Sequence, residues 1–133
     1  MLLTRECDYA IRIIRALADG SKRKAKDINE EENIPHKFTY KISKKLEHAG
    51  LIKSIHGCEG GYQLNKTPDA FTLYDVICAV DKNIAINDCT REDKDCPLNQ
   101  IDNNKPCKVH VELMRVQEML IREMQRHTMQ ELL

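Results

Sequence analysis

The chain has 133 residues, 41% of them hydrophobic and 32% charged, which fits one small globular domain with a packed core and excludes a disordered chain. No run approaches the roughly 20 apolar residues of a membrane span, and Arg5, Glu6 and Asp8 interrupt the apolar stretch that a signal peptide needs, so we expect a cytoplasmic protein with no membrane association. The formal net charge is zero, but residues 1–66 carry 13 Lys and Arg against 9 Asp and Glu, net +4, so this half is where nucleic-acid binding is expected.

Three helices are predicted in the basic half of the chain. Thr4 is a suitable N-cap for a first helix that runs to about Asp19, with Gly20 as its stop signal. Residues 26–32 form a short second helix, and Pro35 opens a third helix that extends to Ala49. The third helix has one apolar face and one basic face. The apolar positions are Phe38, Ile42, Leu46 and Ala49, and the other face carries Lys37, Tyr40, Lys41 and Lys44.

The remaining elements are a hairpin and two further helices. Residues 51–55 and 62–64 are short strands, and the glycine-rich stretch between them permits a tight hairpin tip. Thr72 caps a fourth helix that runs to Val80. After a polar segment at residues 87–105, a long last helix is predicted from Pro106 to about Gln130, because its apolar residues recur every three or four positions. A protruding helix of this kind usually packs against a partner.

Two short helices joined by a tight turn and followed by a hairpin are typical of a winged helix-turn-helix, so the fold class is mainly α. The basic third helix would enter the major groove of double-stranded DNA, and the hairpin, or wing, would reach the adjacent minor groove. The predicted DNA-binding residues are Lys37, Tyr40, Lys41 and Lys44 on the helix and His56, Gly60, Gly61 and Tyr62 in the wing.

The wing segment AGLIKSIHGCEGGYQL, residues 49–64, resembles that of the IscR/NsrR family of iron–sulfur transcription regulators. Leu3-Thr4 and Asp8-Tyr9-Ala10 also resemble the first helix of that family. The resemblance extends over the whole chain and implies a homodimeric repressor or activator whose last helices pair, so that two recognition helices meet a pseudo-palindromic operator. The family often has arginine at the position of His56, and a neutral imidazole is a weaker groove cation.

The polar segment carries Cys89 and Cys96, Cys107 follows in the first turn of the predicted last helix, and His110 lies one helical turn after Cys107. These are three of the six cysteines. Cytoplasmic thiols are kept reduced, so metal binding or redox chemistry is expected rather than structural disulfides. A bound metal or cluster would order a segment that lacks the apolar residues for a core. Zinc is an alternative at the same residues, although no Cys-x-x-Cys pair is present. The other three cysteines, Cys7, Cys58 and Cys78, are assigned no ligand role.

The resemblance implies that Cys89, Cys96 and Cys107 hold an iron–sulfur cluster, with the fourth ligand left open. His110 matches the Cys-x-x-His pair that completes a [2Fe–2S] cluster in IscR-like proteins. Asp8 matches the position from which NsrR-like proteins donate a carboxylate to a [4Fe–4S] cluster across the dimer. His110 and Asp8 are therefore both candidates for the fourth ligand.

The sequence thus predicts a DNA-binding domain at residues 1–80, a cysteine-bearing sensor loop at 81–107 and a dimerisation helix at 108–133. The predicted function is a dimeric transcriptional regulator, not an enzyme, whose operator binding depends on the cluster. Two alternatives are a regulator of the same fold that uses zinc or thiols alone, and a small iron–sulfur electron carrier. The electron carrier would leave the wing without a role.

Overall fold

The computed structural model describes residues 3–82, 84–91, 96 and 107–133. The helices are α1 (Arg5–Ala16), α2 (Ala25–Glu32), α3 (His36–His48), α4 (Leu73–Val80), α5 (Lys108–Met124) and α6 (Met129–Leu132), the strands are β1 (Ile52–Ile55) and β2 (Gly61–Leu64), and short 3-10 turns lie at Pro68–Ala70 and Asp88–Thr90. In this part of the chain, no helix combines the length and the apolar character needed to cross a bilayer.

The first helix is the centre of the core. Thr4 is its N-cap, as predicted, and the Thr4 hydroxyl accepts a hydrogen bond from the Cys7 backbone N–H at 3.4 Å. The helix ends at Ala16 rather than near Asp19, and the chain then turns to Gly20, whose positive φ of 78° suits a residue without a Cβ. Its inward face is fully buried at Ala10, Ile13, Ile14 and Leu17.

The second and third helices form the predicted helix-turn-helix. The turn passes through Asn33, which has a left-handed φ of 51°, and Pro35 is the N-cap of α3. The buried face of α3 is formed by Thr39, Ile42, Ser43 and Leu46. The prediction that Ala49 packs inward is wrong, because Ala49 is the C-cap and lies exposed beside Gly50, where the chain leaves the helix.

The hairpin pairs Ile52 with Leu64 and Ile55 with Gly61 in antiparallel register. The segment between α1 and α2 contacts β2 through an isolated β-bridge, in which Arg23 and Tyr62 exchange backbone hydrogen bonds of 2.9 and 2.8 Å. This close approach explains the glycine at position 61, since a Cβ there would lie 2.3 Å from the Arg23 carbonyl oxygen.

The C-terminal region differs from the predicted continuous helix. Cys107 is the N-cap of α5 rather than a residue of its first turn, and α5 ends at Met124, not near Gln130. Thr128 then begins the separate helix α6 through a capping box with Glu131. The break lets Met129 enter the core, where it is 1% exposed and its N–H donates to the Phe71 carbonyl at 2.9 Å. The predicted helix start at Pro106 lies outside the described residues.

Candidate nucleic-acid interface and metal centre

A groove of about 430 Å³ lies between α3 and the hairpin, and we call it the wing groove. The fold brings six of the eight predicted DNA-binding residues to its walls. They are Tyr40, Lys44, His56, Gly60, Gly61 and Tyr62. Tyr40 is 65% exposed although it is aromatic, which is the expected state of a side chain that contacts a partner rather than the core. The groove therefore joins a basic helix face and a hairpin in one concave surface.

The other two predicted residues, Lys37 and Lys41, do not line the wing groove. The Lys37 ammonium lies 5.2 Å from the centroid of the Phe38 ring. The Lys41 ammonium lies 2.5 Å from a carboxylate oxygen of Glu6, whose other oxygen is 2.6 Å from the Lys45 ammonium. Hydrogen bonds from Lys41 and then Lys45 lower the pKa of Glu6. Lys41 thus ties α3 to α1, and its charge is partly offset within the protein.

Glu47 is a groove residue that the sequence reasoning missed. Its carboxylate accepts hydrogen bonds from the Ser54 backbone N–H at 3.0 Å and from the Ser54 hydroxyl, and these bonds lower the pKa of Glu47. The contact fastens the end of α3 to β1, so it fixes the angle between the helix and the wing. The backbone contact of Arg23 with Tyr62 in the wing was also missed, and because it does not use the Arg23 side chain, no residue type in the sequence could have indicated it.

The cysteines of the candidate metal centre are all half-buried free thiols. Cys107 stands at the N-terminus of α5, and its side chain makes no capping hydrogen bond. One turn later, the Nδ1 atom of His110 is buried and has no hydrogen-bond partner among the described residues. A buried imidazole nitrogen that makes no other bond can bind zinc or an iron–sulfur cluster, and cysteine thiols can bind either as well.

A buried amide fastens the segment that carries Cys89 to α5. The Gln117 side chain is 9% exposed, and its oxygen accepts hydrogen bonds from the Ile86 N–H at 3.1 Å and the Thr90 hydroxyl at 2.7 Å. Its nitrogen donates to the Thr90 carbonyl at 3.2 Å. Gln117 lies two turns after His110 on the same face of the helix. The helix face that carries His110 therefore also holds the backbone next to Cys89.

The structure does not assemble a complete ligand set. In the described ranges, no three His, Cys, Asp or Glu side chains are grouped closely enough to hold a metal ion. Asp8, the other candidate for fourth ligand, lies at the surface, and one of its carboxylate oxygens is 3.0 Å from Arg12 Nε in an ion pair along α1. The thiol and imidazole side chains are therefore of the types that bind an iron–sulfur cluster. The described ranges do not bring the three cysteines and a fourth ligand together.

Comparison with known proteins places this geometry in a family. The Rrf2 family model, described as "Iron-dependent Transcriptional regulator", matches residues 3–133. The chain is 33% identical to the protein rrf2 of Nitratidesulfovibrio vulgaris over 73% of this chain and 67% of that protein. It is 27% identical to the HTH-type transcriptional regulator NsrR of Halalkalibacterium halodurans over 100% of this chain and 90% of that protein. Against curated relatives from Rhizobium meliloti, Synechocystis and Haemophilus influenzae, the chain spans 66%, 59% and 61% of their lengths.

Solved structures share the fold. CymR (YrzC), described as the global cysteine regulator of B. subtilis, has a TM-score of 0.72 and 23% identity, with 98% of this chain and 94% of that chain covered. The IscR of T. potens has a TM-score of 0.69 and 18% identity over 98% of this chain and 85% of that chain. At these identities the likeness concerns the fold alone, and it confirms the predicted winged-helix class.

Proposed function

The chain belongs to the Rrf2 family of transcriptional regulators, and from this premise we propose that it is a homodimer whose operator binding is controlled by an iron–sulfur cluster. The cluster would be held by Cys89, Cys96 and Cys107. The observation that carries this proposal is the Nδ1 atom of His110, which is buried and has no hydrogen-bond partner among the residues that the structure describes, one turn from the free thiol at the start of α5. Burying an imidazole nitrogen without a partner is costly, and a ligand bond would remove that cost.

The DNA-binding step rests on the wing groove. With α3 in the major groove, Lys44 would contact a phosphate or a guanine edge, and Tyr40 a base or a thymine methyl group. The hairpin, fastened to α3 by Glu47 and Ser54, would carry His56 to the adjacent minor groove. Lys37 and Lys41 would add phosphate contacts at the side.

Dimerisation is proposed through α5. Four apolar side chains of this helix are largely exposed: Val109 at 66%, Val111 at 53%, Val116 at 41% and Met119 at 56%. Val109, Val116 and Met119, at i, i+7 and i+10, share one face of the helix, whereas Val111 lies on another. An exposed apolar face of this kind is typical of an interaction surface, and a second copy of the chain offers the same face. Two recognition helices would then face two half-sites of a pseudo-palindrome.

Control of DNA binding would follow from the contacts of the cysteine segment. A bound iron–sulfur cluster supplies a centre that changes with redox state, nitric oxide or iron supply. Gln117 already holds the backbone beside Cys89 on α5, and the Lys45 ammonium donates to the Val80 carbonyl at 3.0 Å, where the segment leaves α4. A change at the thiols would reach the recognition helix through these contacts.

For the fourth ligand we propose His110, and hence a [2Fe–2S] cluster. Within the described part of the chain, the His110 Nδ1 atom is buried and has no hydrogen-bond partner, whereas the partner subunit's Asp8 would have to leave its ion pair with Arg12 before it could complete a [4Fe–4S] cluster across the dimer. Replacing His110 by Ala should alter the cluster spectrum, and replacing Asp8 by Ala should not.

A zinc- or thiol-based regulator of the same fold is the second candidate. It is favoured by the absence of a three-ligand group in the described ranges and by the half-buried free thiols. A similar solved structure, with 21% identity and a TM-score of 0.73, is the oxidized form of Staphylococcus aureus CymR. This candidate keeps the DNA-binding surface and changes only the signal.

Anaerobic purification followed by spectroscopy and metal analysis separates these candidates. The cluster proposal predicts absorption between about 300 and 500 nm, with iron and sulfide in equal amounts. The Cys96→Ser variant should lose this absorption, and the matched control Cys58→Ser, at the exposed wing tip, should retain it. A colourless, iron-free protein that contains zinc would refute the cluster and support the second candidate.

A further inference from the structure

A second groove, of about 660 Å³, lies on the other flank of α3, and we call it the lysine groove. Its basic side chains are Lys41, Lys44, Lys45, His48 and Lys82. Ala79 and Val80, at the end of α4, add an apolar wall. No carboxylate belongs to the described residues that line it, in contrast to the wing groove, which contains Glu47.

We propose that the lysine groove binds the phosphates of a second stretch of duplex DNA backbone, with Lys82 as its main contact outside the recognition helix. The proposal rests on the DNA-binding function proposed above. Tyr40 and Lys44 line both grooves, so the exposed face of α3 is the ridge between them. A helix in the major groove lies between two backbones, about 12 Å apart. The wing groove faces one backbone, and the lysine groove then faces the other.

The charges in the lysine groove suit a polyanion. Lys41 and Lys45 share Glu6, which offsets part of their charge. Lys44 and Lys82 make no ion pair within the part of the chain that the structure describes, so their ammonium groups are available to a ligand. Duplex DNA presents about one negative charge per 1.7 Å of axis, and a row of lysines releases its counterions on binding.

The lysine groove is held in shape by the contacts that Lys45 makes with the end of α4 and with Glu6. The Lys45 ammonium bridges the Val80 carbonyl and Glu6, at 3.0 and 2.6 Å. Because Val80 is the last residue of α4, this bridge fixes the position from which Lys82 emerges, two residues later. The Lys82 side chain is therefore carried by a fixed backbone beside α3 rather than by a free loop.

Lys82 also lines a cavity of about 180 Å³ together with Thr90 and Gln117, on the side of the cysteine segment. It thus stands between the DNA-facing groove and the residues that fasten Cys89 to α5. A phosphate contact of Lys82 therefore depends on the lysine groove and on the residues that fasten Cys89 to α5.

The test is the salt dependence of DNA binding, measured by fluorescence anisotropy with a mixed-sequence duplex of about 30 base pairs, because non-specific affinity comes almost entirely from phosphate contacts. The slope of log K against log salt is negative, and Lys82→Gln should make it shallower by about 0.9 for each protomer bound. The same substitution should weaken binding about tenfold at about 0.05 M salt. Lys82→Arg should restore the slope. Lys66→Gln removes a matched exposed lysine on a different surface and should leave the slope unchanged.

The outcomes separate the two proposals. If the wild-type protein binds the duplex and Lys82→Gln has the same slope as Lys66→Gln, the lysine-groove proposal is wrong and DNA binding stands. If the wild-type protein binds neither this duplex nor any operator, the proposed function fails and the groove proposal fails with it. Equal thermal unfolding of the variants would show that a lower slope does not come from lost structure.

Discussion

The amide of Gln117 offers a sharp test of how the cysteine segment is held. We consider the substitution Gln117→Leu, which keeps the approximate volume of the side chain and removes its polar group. The side chain is 9% exposed and makes three hydrogen bonds, at 3.1, 2.7 and 3.2 Å, to the backbone of Ile86 and to Thr90. Leucine leaves all three partner groups without their bonds.

The expected cost follows from these contacts. A buried hydrogen bond contributes about 1 kcal/mol net, so the three contribute about 3 kcal/mol. The more apolar leucine side chain recovers about 1 kcal/mol through burial. The net cost is about 2 kcal/mol, equivalent to an increase of about thirtyfold in the population of the open segment. The cost falls on the contact between the segment and α5, because Gln117, Ile86 and Thr90 lie outside the hydrophobic core cluster.

Amide hydrogen exchange measures this opening directly. The Ile86 amide donates to Gln117, so its exchange should accelerate about thirtyfold in Gln117→Leu, while amides of α1 are unaffected. Gln130→Leu, at an exposed position of α6, is the matched control and should leave Ile86 unchanged. Unaltered exchange at Ile86 in Gln117→Leu would show that the amide does not hold the segment.

Three further substitutions test other contacts. Glu6→Gln should lower the free energy of unfolding by about 1 kcal/mol at neutral pH. Because the lysine partners lower the pKa of Glu6, this stabilisation is complete above the unfolded pKa of 4.5 and is lost as the pH falls below it. Urea titrations that show an equal loss of stability near pH 3 would contradict the ion pairs. Gly61→Ala places a Cβ 2.3 Å from the Arg23 carbonyl oxygen and should cost about 1–3 kcal/mol and accelerate exchange of the Tyr62 amide; unchanged exchange would mean that the Arg23–Tyr62 bridge is not formed in solution. Met119→Glu, at a side chain that is 56% exposed, should convert the dimer to a monomer in sedimentation analysis, and a persistent dimer would exclude this part of α5 from the interface.

The first four helices and the hairpin could be predicted because their signals are local. Thr4 and Thr72 cap helices through their own next turn, and Gly50 ends α3 through a positive φ that few other residues adopt, whereas Gly20 completes the turn that follows α1. Each signal acts over about four residues. These elements therefore formed where the sequence indicated, apart from one or a few residues at their ends.

The end of the last helix could not be predicted from periodicity. Apolar residues recur every three or four positions up to Met124, and no glycine or proline follows to stop a helix before Gln130. What breaks the helix is a tertiary contact, because Met129 is buried only against the core around Phe71, far away in the sequence. The Thr128 and Glu131 capping box was the local signal, and the apolar periodicity outweighed it.

The candidate site was predictable in its residue types and less so in its supports. The basic face of α3 and the wing could be paired from the fold class, and they meet in the wing groove. The contacts of Glu47 with Ser54 and of Gln117 with Thr90 join residues whose proximity exists only after folding. The Asp8–Arg12 ion pair, by contrast, follows from i,i+4 spacing and could have been expected.

The proposal that a cluster controls DNA binding is tested by measuring operator affinity with and without the cluster. An operator is selected from a random duplex library with the anaerobically purified protein, and its affinity is then measured at fixed salt for cluster-loaded and cluster-free protein. If a cluster controls DNA binding, the two operator affinities should differ by about tenfold or more, within the usual range of allosteric coupling. This difference should disappear in Cys96→Ser. Equal affinities for the two forms of the wild-type protein would contradict control by a cluster.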